Sequence, residues 1–178
     1  ESITLTMKDA YNNPVTSVSP VFTVSGSGNT ITQGASSSSS GVSTGAFKSS
    51  MDEVKTIGIS SPASLASMTA TVTFVDTTVV AANSSIAASA AGPSTLGTVT
   101  ADGSSTASVA ITLKNKNSHA VSGVTPTFNA TDTGSTNTYA TCSATDVSGA
   151  SSCTFTSKKA EAKTVALLTP VAKSGNSI

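Results

Sequence analysis

The sequence lacks most of the residues that perform chemistry. It contains no arginine, no tryptophan and one histidine, and only 10% of its residues are charged. The net charge is zero and every basic residue is a lysine. Without arginine, the chain cannot form bidentate hydrogen bonds to phosphate, and its lysines are not clustered into a basic surface. Both observations argue against nucleic acid as a partner. No apolar run approaches the roughly twenty residues of a membrane span, so we expect no membrane insertion by this segment.

Catalytic and metal-binding constellations are equally scarce. A Ser-His-Asp triad could use only His119, and no G-x-S-x-G pattern accompanies that histidine. Five aspartates stand isolated in turns or junctions: Asp9, Asp76, Asp102, Asp132 and Asp146. Asp102 and Asp132 could approach one end of the second copy and hold calcium, although ordinary turn residues are the favoured interpretation. We therefore predict no catalytic residues, no metal site and no cofactor, and a protein that is not an enzyme.

What the chain does contain is an internal repeat. Residues 2–28 align without a gap on residues 108–134, and after a two-residue shift residues 47–57 align on 155–165. A period just over one hundred residues corresponds to a whole domain. The composition, rich in Ser, Thr, Ala, Val and Gly, predicts short β-strands with neutral polar faces. Matched identities include Lys8/Lys114, Pro20/Pro126, Phe22/Phe128, Phe47/Phe155, Glu53/Glu161 and Lys55/Lys163.

The repeat predicts two domains, residues 1–78 and residues 79–178. We expect the first to lack its first strand, whose counterpart in the second copy we place near 94–101 after a linker with Gly92-Pro93. We expect the second to stop before an equivalent of the strand at 69–75. Residues 26–46 are interpreted as a mobile loop or a weak polar hairpin. Such a frame is typical of an excerpt from a longer array, or of a subunit that completes its sheet with a neighbour's strand.

The two cysteines, Cys142 and Cys153, enclose ten residues with the turn formers Asp146 and Gly149. A disulfide between two strands is the preferred interpretation, and it implies an oxidising compartment. Two free buried thiols and half of a metal site are the alternatives, and no C-x-x-C motif or nearby histidine supports the metal. Gly45 stands in the first copy where Cys153 stands in the second, so the fold does not require the bridge.

Other polar residues are given mainly structural interpretations. Lysines near Asn or Asp on adjacent strands form isopeptide bonds in some surface proteins, and Lys8 and Lys114 are the candidates here, although exposed strand-end lysines are ordinary. The charged groups around Lys55 and around Glu161 are interpreted as solvated loop faces. The remaining candidates are the glycosylation sequons at Asn83 and Asn129, attributed to chance, and the scattered aromatics Tyr11 and Tyr139, which make a poor sugar platform.

The turn and strand motifs resemble those of group 1 bacterial Ig-like domains, the repeats of invasin/intimin-type surface adhesins. The first copy has the turn Lys8-Asp9-Ala10-Tyr11-Asn12-Asn13-Pro14-Val15 and then Val21-Phe22; the second has Thr100-Ala101-Asp102-Gly103 and a turn at 114–121. That second turn departs from the pattern at Asn115 and Ala120. The resemblance implies two tandem Ig-like antiparallel β-sandwich domains in a rod that holds an adhesive tip away from a bacterial surface, and no site residues are carried over.

We therefore expect spacer repeats of an extracellular adhesin, whose partners are neighbouring Ig-like repeats of the same or an adjacent chain. One alternative is a module that itself binds a cell-surface receptor or glycan through the 26–46 or 132–152 loops. The other is a subunit of an extracellular fibre assembled by strand complementation.

Overall fold

The computed structural model describes residues 1–90 and 97–178 and divides the chain into two compact units, Glu1–Asp76 (unit 1) and Thr77–Ile178 (unit 2). Both units are built from short antiparallel strands, which confirms the predicted all-β fold class of Ig-like sandwiches. The helical structure in the described residues is a single 3₁₀ turn, Ala63–Leu65. No helix in this part of the chain is long and apolar enough to cross a membrane.

Unit 1 contains two three-stranded sheets. The order in one sheet is β1-β4-β3, and in the other it is β2-β5-β6. The strands are β1 (Ser2–Thr6), β2 (Val21–Val24), β3 (Asn29–Thr32), β4 (Val42–Ser49), β5 (Val54–Ser61) and β6 (Thr69–Thr73).

The core of unit 1 follows from strand alternation. In β1, Leu5 is buried while Thr4 and Thr6 on either side of it are exposed, as a period of two requires. Leu5 packs with Phe22 from the other sheet. The ring of Phe47 meets the ring of Phe74 edge-on, with the two centroids 5.4 Å apart. These large side chains fill the space between the sheets.

Unit 2 contains a four-stranded sheet of order β10-β11-β8-β7 and a three-stranded sheet of order β13-β12-β9. Its core is more completely closed, with Leu113 and Val165 fully buried. The strands are β7 (Ser85–Ala90), β8 (Ala107–Thr112), β9 (Thr127–Ala130), β10 (Asn137–Tyr139), β11 (Ala150–Ser157), β12 (Thr164–Thr169) and β13 (Lys173–Ser177).

The sequence repeat is also a repeat of strand register. Ile3 lies opposite Gly45 in the β1–β4 pair, and their counterparts Val109 and Cys153 lie opposite each other in the β8–β11 pair. Because a slip of one residue would turn every side chain to the other face, equal register means that equivalent residues face the core in both units.

The serine-rich segment of unit 1 forms a hairpin, one of the two forms expected for it, because β3 pairs antiparallel with β4. Strand β3 and the start of β4 lie within residues 26–46. The buried Ser37 hydroxyl donates to the Val15 carbonyl at 2.8 Å and accepts from the Val18 N–H at 3.1 Å. Thr145 makes the same two bonds in unit 2, to Val121 and from Val124. One hydroxyl thus fixes the chain just before β2 in unit 1, and one does so just before the strand at Thr127–Ala130 in unit 2.

Two strand assignments of unit 2 differ from the sequence expectation. Gly92-Pro93 of the expected linker and the first residues of the strand expected near 94–101 lie outside the described residues, and residues 97–101 form no strand. The first strand is instead β7, an alanine- and serine-rich stretch assigned to the linker. The chain also does not stop short of a last strand: β13 pairs with β12 as β6 pairs with β5. Its sequence, KSGNS, has no apolar alternation to reveal it.

Candidate functional site

A buried ion cluster occupies one end of unit 2. Lys163 lies immediately before β12 with only 4% of its surface exposed. Its Nζ lies 2.6 Å from Glu161 Oε1 and 3.5 Å from Asp132 Oδ1. A buried ammonium is tolerated only when it is paired and hydrogen-bonded, so the two carboxylates account for its position.

The same contacts hold both carboxylates in the charged form. The Lys163 ammonium, together with the hydroxyl and N–H of Thr133, lowers the pKa of Glu161 to about 2. Burial raises the pKa of Asp132, but hydrogen bonds from Asn137 and Thr136 and the charge of Lys163 lower it more, to well below its usual value. The cluster is a closed set of mutual bonds rather than a poised acid or base.

Unit 1 contains the same arrangement in a smaller form. Lys55 is completely buried and its Nζ binds the Glu53 carboxylate and the Ser27 carbonyl, the latter at 2.7 Å. The interpretation of Lys55 and Glu161 as parts of solvated loop faces is therefore wrong. A signal was present in the sequence, because Glu and Lys recur two residues apart at the same place in both copies. A solvated face gives no reason for such a repeat.

Cys142 and Cys153 form a disulfide in unit 2, with their Cα atoms 4.4 Å apart. Both residues are buried, and no free cysteine occurs in the described ranges 1–90 and 97–178. Cys153 belongs to β11, and Cys142 lies in the extended segment alongside it, where the Ser143 N–H donates to the Ser152 carbonyl at 3.0 Å. The bridge thus crosses two neighbouring extended segments.

Unit 1 fills the corresponding space with an aromatic ring. Gly34 and Gly45 stand where the two cysteines stand in unit 2. A Cβ added to either glycine would lie 2.8 Å from Cε2 of Phe22, closer than real Cβ contacts allow. The ring of Phe22 therefore occupies the volume that side chains at these two positions would need. Disulfide and glycine pair are alternative ways of packing the same core position.

The acidic turn residues bind their own loops. The Asp102 carboxylate accepts hydrogen bonds from the N–H groups of Ser104 and Ser105 and from the Ser105 hydroxyl, which lower its pKa to about 2. Asp132 is bonded within the Lys163 cluster. Across residues 1–90 and 97–178, no three potential metal-ligating side chains come together. The structure therefore does not assemble the calcium site considered for these two aspartates.

The other polar candidates also lie in local structure. The N–H of His119, the candidate base, donates to Asn115 Oδ1 at 3.0 Å inside its turn. The Lys8 ammonium donates to the Asn12 side chain at 2.8 Å, and Lys114 is half-buried at the equivalent position. Asn83 donates its amide to the carbonyls of the 115–116 turn, whereas Asn129 is exposed on β9.

The two tyrosines have different surroundings: Tyr139 contacts neighbouring strands, whereas Tyr11 is exposed to solvent. The Tyr139 hydroxyl lies 3.1 Å from both the N–H and the carbonyl of Ala130, and its ring meets Phe128 edge-on, so this tyrosine joins β10 to β9. Tyr11 is 87% exposed at the tip of the first turn of unit 1, and Val147 is 93% exposed at the tip of a turn in unit 2. Of the large apolar side chains in residues 1–90 and 97–178, these two are the most exposed.

Comparison with solved structures finds the same fold in bacterial adhesins. The chain matches an Escherichia coli adhesin, FdeC, with a TM-score of 0.70 and 20% identity over 99% of this chain and 57% of that one. It matches InvD of Yersinia pseudotuberculosis with a TM-score of 0.61 and 18% identity over 98% of this chain and 49% of that one. The chain thus spans about half of each structure.

No protein-family model matches the sequence, and no relative emerges among curated proteins. At identities of 18–20% the structural likeness defines the fold and leaves the function to be argued separately. Within that limit, it agrees with the resemblance seen in the turn motifs. The chain has the fold of the Ig-like domains of the invasin/intimin class of bacterial surface adhesins.

Proposed function

We propose that the two units are spacer repeats of a bacterial cell-surface adhesin, which hold a separate binding domain away from the cell. On this proposal the chain is extracellular and its partners are neighbouring Ig-like repeats. The proposal also makes the protein a non-enzyme with no catalytic, cofactor or metal residues.

The observation that carries the proposal is the path of the backbone through unit 2. The Val80 N–H donates to the Lys114 carbonyl, beyond the last residue of β8, whereas Ile178 exchanges both backbone hydrogen bonds with Lys163, just before β12. These residues mark opposite ends of the sandwich, because Ala107 at the start of β8 lies opposite Phe155, near the end of β11. A chain that enters at one end and leaves at the other gains length with each repeat, about 25 Å at strand rise.

The internal use of polar groups supports the same function. Lys55 and Lys163 are buried and bind carboxylates of their own unit. The hydroxyls of Ser37 and Thr145 hydrogen-bond to the backbone at the same place in each unit. Recurrence in both units is expected of residues that maintain a fold. A receptor site would instead be expected to distinguish one copy from the other.

A binding role is the second candidate, since the Tyr11 and Val147 tips expose apolar side chains that differ from their counterparts in the other copy. Exposed aromatic and apolar groups at loop tips are typical of contact surfaces. This candidate requires a partner that is lost when a tip is changed.

Surface display of the full adhesin separates the two candidates. In one variant the whole 178-residue segment is replaced by two unrelated Ig-like spacer repeats of similar length, and in a second Tyr11→Ser and Val147→Ser are combined. A spacer predicts that adhesion to target cells is retained in both at equal surface expression. Loss of adhesion in both variants would reject the spacer function in favour of binding by this segment.

A length series provides the matched control. Deleting the segment shortens the stalk without changing the tip, so a spacer predicts weaker adhesion that returns when the unrelated repeats are inserted. Equal adhesion with and without any repeats at this place would contradict the need for a spacer.

A further inference from the structure

Strand β13 of unit 2 has a sequence that strand patterns do not explain. It reads Lys-Ser-Gly-Asn-Ser and has no apolar residue to place in the core. Three of its five residues contact β7, a strand of the other sheet, or the residues just ahead of β7. We call this contact between the two strands the β7–β13 seam. The seam accounts for the composition of β13.

Side chains make the hydrogen bonds that cross the seam. The Ala88 N–H donates to Asn176 Oδ1 at 2.7 Å, and Asn176 Nδ2 donates to the Ala88 carbonyl at 2.9 Å. The Lys173 ammonium donates to the carbonyl of Ala81, ahead of β7, at 2.7 Å. Because β7 and β13 belong to different sheets, an amide and an ammonium join them instead of a backbone ladder.

The two strands run parallel and approach each other closely. Lys173, Gly175 and Asn176 meet positions 81, 86 and 88 in the same order along the chain. A Cβ added to Gly175 would lie 2.5 Å from the Ile86 carbonyl oxygen, so the two backbones touch where only a glycine fits. Ile86 and Ala88 are themselves buried. The seam thus combines hydrogen bonds with apolar packing between two parallel strands.

Tension along the chain reaches unit 2 through these two strands. The backbone enters from unit 1 ahead of β7. Unit 1 shows by which strand the chain leaves a unit, because β6 is followed by Asp76 and then by unit 2. β13 pairs with β12 as β6 pairs with β5, so it is the corresponding exit strand. Since β7 and β13 are parallel, a pull on the start of β7 and the end of β13 slides one strand past the other.

Sliding loads every contact of the seam at once, whereas peeling would break the contacts one at a time. The β7–β8 ladder, with Ser85 opposite Thr112 at its start, opposes the same displacement. We propose that the β7–β13 seam is a mechanical clamp that keeps unit 2 folded under tension, and that Asn176 and Lys173 set the rate at which it yields. This inference rests on the proposed spacer function, because a stalk beneath an attached tip is pulled along its length.

Single-molecule stretching of the full chain, held at its two termini, measures the clamp. Each unit gives its own unfolding step, and the step of unit 2 is the one that lengthens on reduction. Opening the Cys142–Cys153 bridge, whose cysteines are eleven positions apart, releases about 35 Å of additional chain. The unfolding rates of the variants are then compared at a fixed force with the bridge intact.

Two variants weaken the seam. Asn176→Ala should unfold unit 2 about fivefold faster at a fixed force, because forced unfolding follows the unfolding rate and the variant loses two hydrogen bonds. Lys173→Met keeps most of the length of the side chain without its ammonium, and it should give an increase of similar size.

Thr145→Val is the matched control. Thr145 also makes two hydrogen bonds to backbone groups of unit 2, to Val121 and from Val124, but away from the seam. The loss of equilibrium stability in each variant is measured on unit 2 by hydrogen exchange. For an equal loss, a clamp predicts that Asn176→Ala accelerates forced unfolding about threefold more than Thr145→Val does.

Two results would overturn the proposal. One is an unchanged unfolding rate of unit 2 under force in either seam variant; Lys173→Met alone decides if Asn176→Ala does not fold. The other is an equal acceleration by Thr145→Val for an equal loss of stability. Either result would leave the spacer function standing, because that function is tested by the adhesion assays, in which the whole segment is replaced.

Discussion

Removal of the Cys142–Cys153 bridge should destabilise unit 2 and leave unit 1 unchanged. The two cysteines are eleven positions apart, so the bridge closes a short loop. Constraint of the unfolded chain by a loop of this size stabilises the fold by about 3 kcal/mol. For a unit of roughly one hundred residues, that free energy corresponds to a fall in the unfolding midpoint on the order of 15 °C.

The assay is hydrogen exchange read separately on peptides from each unit, with and without a reductant, and repeated on the Cys142→Ala/Cys153→Ala double variant. Unit 1 is the internal control, because Gly34 and Gly45 replace the cysteines there. Reduction alone keeps both sulfur atoms. It therefore measures the stabilisation that comes from closing the loop, separately from the packing that the alanine variant also loses. A loss below about 1 kcal/mol in unit 2, or an equal loss in both units, would refute the argument.

Three further predictions follow from particular contacts. Gly45→Ala should cost unit 1 about 1–3 kcal/mol of unfolding free energy, because its Cβ would meet Phe22; urea denaturation checks this, and a neutral result would contradict the packing. Because the folded pKa of Glu161 is depressed to about 2, its stabilisation of unit 2 is present above about pH 4.5 and is lost as the pH falls towards 2. The unfolding free energy of unit 2, measured as a function of pH, should therefore fall less between pH 4.5 and 2 in Glu161→Gln than in the unmodified chain. The same fall in both proteins would reject the ion cluster. Asn176→Ala should cost unit 2 about 1 kcal/mol by removing both bonds to β7, measured by thermal unfolding against the exposed control Asn129→Ala; equal midpoints would show that the bonds contribute nothing.

The parts of the fold that were predictable are those with a local or repeated signal. The strand expected at 69–75 forms as β6, over Thr69–Thr73. The spacing of Cys142 and Cys153 around a turn favours the bridge that the structure contains. In each case the residues that carry the signal are close in sequence, so elementary rules of strand and turn geometry suffice.

The parts that were missed depend on contacts distant in sequence. β7 and β13 have weak strand patterns, and each is held by the other: Asn176 binds Ala88, 88 positions away. Gly175 suits β13 because a side chain there would meet Ile86, which no local rule reveals. The burial of Lys163 likewise depends on Asp132 and the β11–β12 loop.

The most direct test of the spacer function is the mass of the native, unreduced protein that carries this chain, taken from its source and confirmed by sequencing. The proposal predicts a polypeptide many times longer than 178 residues, with further copies of the same repeat beside these two. A mature protein of about this length, without further repeats, would contradict it.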